Sequence, residues 1–132
     1  MMQEQKELLK RELCSRLDTN LVCSIYRVDD YGVGYRDEIL SGYCKGDNWY
    51  EFYFREDCGI CIDDVSKIKP YLIPRSSMTD YQEAEYNDLN CCELGWLPST
   101  EDAFDYLVDN HFDYRGLIPM GLAIDATGLN IY

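Results

Sequence analysis

No apolar run in this chain exceeds a few residues, far short of the roughly 20 needed for a membrane-spanning helix. The start, MMQEQKELLKRE, is polar from its third residue and has no apolar stretch, so the expectation is a chain without a secretory leader. Catalytic signatures are also missing. There is no GxxxxGK[ST], HExxH or GxSxG pattern, and Gly32-Val33-Gly34 lacks the third glycine and the strand–turn–helix setting of a dinucleotide site. Histidine occurs once, as His111. Between Arg75 and Arg115 there is neither lysine nor arginine. A chain so poor in bases there repels nucleic acid and anionic membranes, so direct nucleic-acid binding is excluded from the expectation.

What is present is acid. The net charge of −13 is unevenly spread: residues 1–75 hold 14 acids against 11 bases, whereas residues 76–132 hold 11 acids against one base, Arg115. A single-sign field of this kind either keeps a protein in solution or receives a partner with a basic surface. The acids selected as a candidate binding face are Asp80, Glu83 and Asp88 on one expected helix and Asp102, Asp105 and Asp109 on the next. Arg115, alone in that acidity, is expected to pair with Asp113 or a neighbouring acid, or else to serve as a binding anchor.

With 132 residues, 46% hydrophobic and 28% charged, the chain is long enough to bury about two-thirds of its unfolded surface without disulfides or metal. One domain is expected over 1–132, with a helix and antiparallel sheet in 1–64 and a helical half, 65–132, packed on it. Residues 3–18 read as a helix, with Leu9, Leu13 and Leu17 four apart. Strand-like segments follow at 21–28, 35–44, 49–55 and 58–62, the middle two joined by a turn at Lys45-Gly46-Asp47-Asn48. Ile68 to Pro74 carries two prolines and is expected to be an irregular connector. Thr79 and Gln82 form a capping box for a helix reaching about Glu93, whose apolar stripe Glu85 interrupts. Ser99 or Thr100 caps a second helix, 100–111, with Phe104, Leu107 and Val108 facing in. A glycine-rich tail from Tyr114 completes an α+β fold.

Seven cysteines, Cys14, Cys23, Cys44, Cys58, Cys61, Cys91 and Cys92, make an odd count, which argues for free thiols rather than a disulfide framework. Cys58, Cys61, Cys91 and Cys92, with His111, form the alternative zinc set, but adjacent thiols converge poorly on one tetrahedral ion. His111 lies seven residues from Phe104, on the apolar face near a helix C-terminus, where a histidine more often caps or packs than catalyses. No catalytic residue, metal or cofactor is therefore assigned. Twelve tyrosines against four phenylalanines suit either a wet-edged sheet or an interface.

Two segments carry a resemblance: Lys69-Pro70-Tyr71-Leu72-Ile73-Pro74-Arg75-Ser76-Ser77-Met78-Thr79, and His111-Phe112-Asp113-Tyr114-Arg115-Gly116-Leu117-Ile118 with Gly121-Leu122-Ala123. Together they resemble a pattern in short proteins of phages and prophages of gut Bacteroidetes, although Ile73 and Arg75 depart from the arginine and methionine usual there. The resemblance covers roughly the second half of the chain and implies a bacterial or phage-infected cytoplasm, in keeping with reduced cysteines. It implies no activity. The reading is a non-enzymatic acidic module that binds a basic protein surface in the manner of a DNA mimic. The alternatives are a homo-oligomeric assembly protein built on the tyrosine-rich sheet, or a Cys/His or zinc-thiol enzyme.

Overall fold

Period-two patterning governs residues 22–74, and period-3.6 patterning governs the segments before and after it. In a computed structural model, which describes residues 2–29, 32–54, 60–89 and 100–132, these patterns become an α+β fold. The chain divides into two compact units, Met1–Tyr71 and Leu72–Tyr132.

The first unit opens with α1 (Gln3–Ser15), which buries Leu9 and Leu13. It continues through β1 (Val22–Asp29), β2 (Gly32–Lys45), β3 (Tyr50–Phe54), β4 (Ile60–Ile62), a 3-10 turn (Val65–Lys67) and the beginning of β5 (Ile68–Pro74). The strands form an antiparallel sheet in the order β4-β3-β2-β1-β5. Cys23, Ile25, Leu40, Phe52 and Phe54 are buried on its inner face. Lys10 of α1 sits 4.6 Å over the Tyr50 ring on that same face, so this is the side the helix covers. A shift of register between Leu40 and Gly42 changes which residues of β2 face inward, taking Tyr43 into an aromatic group with Tyr50 and Phe52. The β2–β3 turn closes through Gly46 N–H donating to the Trp49 carbonyl at 2.9 Å. A side chain at Gly46 would collide with the Trp49 indole.

Three expectations are corrected here. The helix ends at Ser15 rather than residue 18, and its wall is not purely apolar: Glu12 and Arg16 are buried and paired, Nε to Oε1 at 2.7 Å. β2 begins at Gly32, earlier than expected, because Gly32 and Gly34 pair with Asp29 and Arg27 as strand residues. The proline-bearing connector is strand β5. Ile68, Pro70 and Leu72 are buried in alternation with outward Lys69 and half-buried Tyr71, and Cys23, Ser24 and Ile25 pair with Pro70, Lys69 and Ile68. Proline is accommodated at a position whose nitrogen need not donate to the neighbouring strand.

The second unit takes the end of β5, a 3-10 turn (Arg75–Ser77), α2 (Asp80–Leu89), α3 (Glu101–Asp109), β6 (Phe112–Asp113) and β7 (Ile124–Asp125). Ile73 and Pro74 run parallel to Phe112 and Asp113, and Ala126 N–H donates to the Leu72 carbonyl at 2.8 Å. The core of this unit is Tyr86, Ala103, Leu107, Val108, Phe112 and Tyr114, flanked by Met78, Leu89 and Phe104. The expected extension of α2 to Glu93 lies outside the described residues. The 3-10 turn Val65–Lys67 and the start of β5 fall within the first unit. No helix among the described residues is long and apolar enough to cross a membrane.

Candidate acidic interaction face

Two caps position the acids. The Thr79 N–H donates to Gln82 Oε1 at 3.0 Å and the Gln82 N–H donates to Thr79 Oγ1 at 3.1 Å, the reciprocal pair expected from the sequence. Thr100 Oγ1 accepts from the Ala103 N–H at 3.0 Å and donates to the Leu89 carbonyl at 2.7 Å, joining the start of α3 to the end of α2. Ala103, Leu107 and Val108 are buried and Phe104 is half-buried, so α3 can present only its other side to water.

On that outer side stand Asp102, Asp105 and Asp109, all exposed. Their i, i+3, i+7 spacing puts the three carboxylates within one stripe. Asp80, Glu83 and Asp88 of α2 are likewise exposed, so all six sequence-selected acids face solvent. Helix stability accounts for only part of this placement. Asp80, Glu83, Glu101 and Asp102 lie in first turns, where carboxylates complement the helix dipole. Asp109 lies at the other end of α3, where negative charge is unfavourable, and α3 has no base in its last turn. Asp105 and Asp109, four apart, repel each other by a few tenths of a kcal/mol.

Glu85 behaves differently from the other acids. Rather than merely interrupting the apolar stripe, it is half-buried and accepts the Tyr106 hydroxyl at 2.9 Å and that of exposed Tyr81. Burial, then the Glu85 hydrogen bond and charge, push the Tyr106 hydroxyl up to about 12. Tyr81 is raised in the same direction by its bond to Glu85. The signal was present in the sequence as the i, i+4 spacing of Tyr81 and Glu85, but the Tyr106 contact is tertiary.

The bases that flank this acidic region are engaged with rings. The Arg75 guanidinium lies 4.7 Å from the Tyr86 ring centre. Arg115 lies 5.1 Å from that of Tyr114 and its Nε donates to the Tyr114 hydroxyl at 3.1 Å. Asp113, buried, accepts the backbone N–H groups of Leu117 and Ile118 at 2.9 Å each, which fixes the turn after β6. His111 adopts φ +63° immediately after α3, a position where glycine or asparagine is usual. Its carbonyl accepts from Ile73 N–H, and its ring stacks on Tyr132 at 3.6 Å and 10°.

Cys58, Cys91 and Cys92 of the alternative zinc set lie outside the described residues, and nothing is placed for the Cys61 side chain. Among the described residues no group of three or more histidines, cysteines or acids is arranged to hold a metal ion. Cys14, Cys23 and Cys44 are free thiols, and burial pushes the Cys23 thiol well above its ordinary range. No protein-family model, curated protein or solved structure matches the chain.

Proposed function

We propose that this chain is a small, non-enzymatic acidic protein-binding module of phage or prophage type, working in a bacterial cytoplasm. Its α2–α3 face covers a basic, nucleic-acid-binding surface of another protein, and nucleic acid itself is not its ligand. The observation that carries the reading is the outer stripe of α3. Asp105 and Asp109 are exposed, mutually repulsive and, at Asp109, opposed by the helix dipole, so helix stability alone does not explain them.

Charge density supports the same conclusion. Four acids, Glu101, Asp102, Asp105 and Asp109, fall within the nine residues of α3. At a rise of ~1.5 Å per residue that is about one charge per 3.4 Å of axis, close to the spacing of phosphates along one DNA strand. A basic groove that tracks a phosphate backbone would meet a comparable field here.

Reversal of two charges tests this. Asp105→Lys with Asp109→Lys should weaken partner binding at least about tenfold. The same double variant should be no less stable to urea than the wild type, because a base in the last turn complements the dipole. Binding unchanged in the folded double variant contradicts the proposal.

A further inference from the structure

The first unit's sheet has a second face, turned away from α1, and its chemistry is unlike that of the acidic helices. Alternation places Val33, Tyr35, Asp37 and Ile39 of β2 on it, beside Ser24 and Tyr26 of β1 and Lys69 and Tyr71 of β5. Three of these are large apolar groups left in water: Tyr35 is 74% exposed, Val33 65% and Ile39 48%. Tyr35 also packs against Tyr26 with ring centres 5.2 Å apart and the rings tilted by 59°. Tyrosine and aliphatic groups with a few charges are the composition of an interface core and its margin.

The charges on this face form a row. Lys69 pairs with Ser24 on one side of β1, and Asp37 pairs with Ser24 on the other. Lys69 and Asp37 therefore flank the central strand at equal distances, about 4.8 Å to either side. Both are exposed, and the Tyr71 hydroxyl donates to Asp37 Oδ1 at 2.8 Å, which fixes that carboxylate. A two-fold axis running along β1 above Ser24 superimposes each lysine on the other copy's aspartate. The row is self-complementary under the symmetry that a dimer uses.

We propose that this face binds a second copy of the chain, sheet against sheet, with Lys69 of each copy opposite Asp37 of the other. Overall charge favours this face over the rest of the surface for self-association. The first 75 residues carry a net −3, against −10 for the remainder, so two copies meet here with the least repulsion. Three strands, β2, β1 and β5, ~4.8 Å apart and about 25 Å long give on the order of 350 Å² per copy. The total of roughly 700 Å² is below that of a standard specific interface, which makes the dimer weak and reversible.

Sedimentation equilibrium of the full chain, from micromolar to hundreds of micromolar, tests the proposal. The wild type should pass from monomer to dimer across that range. Lys69→Asp alone and Asp37→Lys alone should each weaken the dimer about tenfold, and the two together should restore it, because the swapped charges again face each other. Tyr35→Ser, at a position already exposed, should weaken it without affecting folding. The dimer should also persist in salt that releases a basic partner, so its failure and that of the acidic-face reading are separable. A chain that stays monomeric throughout, or an oligomer indifferent to the three single variants, overturns the proposal and leaves the face to an occupant of another kind.

Discussion

Glu85 breaks the apolar stripe of α2, yet its carboxylate is where the hydroxyls of Tyr106 and Tyr81 converge. From the sequence alone an acid among apolar positions looks like a defect, because the partner that explains it lies 21 residues away. Removing that partner has a defined consequence. Tyr106→Phe should lower stability by about 0.5–1.5 kcal/mol, read from the urea midpoint at neutral pH. The pH dependence has a sign as well. Tyr106 is raised from 10 to about 12, so its contribution is complete below pH 10 and is lost as pH rises towards 12. The stability difference between wild type and Tyr106→Phe should therefore shrink over that window. A constant difference across it would show that the hydroxyl does not titrate as the geometry requires. Asp113 gives a related lesson: sequence does not reveal that its carboxylate accepts two backbone N–H groups, those of Leu117 and Ile118.

At the scale of elements, local chemistry was the readable part. The Thr79–Gln82 box and the Thr100 cap are encoded within four residues each, and both stand in the structure where the sequence put them. β5 was obscured because its two prolines outweighed the alternation of Ile68, Pro70 and Leu72, which was there to be read. The early start of β2 was obscured by Gly32 and Gly34, which suggest a turn but pair as strand residues. Thr100 has a second task that sequence does not reveal, its bond to the Leu89 carbonyl. Thr100→Ala should consequently cost about 1–2 kcal/mol, whereas Thr100→Ser, which keeps the oxygen, should cost far less. Urea denaturation monitored by helical circular dichroism checks both variants, and equal losses would refute the capping role.

Over the whole molecule, net charge is unevenly divided along the sequence. Residues 76–132 set one base against 11 acids and so carry −10, and the large exposed side chains of β2 lie in the first 75 residues, which carry −3. The acidic side was legible because solvent-facing charges on an amphipathic helix follow directly from its apolar stripe. The apolar sheet face was not, since it depends on which side of the sheet α1 covers. The central claim concerns the acidic side, and salt is its most direct probe. Immobilised wild type and the Asp105→Lys, Asp109→Lys variant should be exposed in parallel to a Bacteroidetes lysate at low salt, then eluted with a salt gradient. The account predicts a basic nucleic-acid-binding protein on the wild-type column alone, released steeply as salt rises and displaced by added DNA. Equal retention on both columns, or retention indifferent to salt, would contradict it.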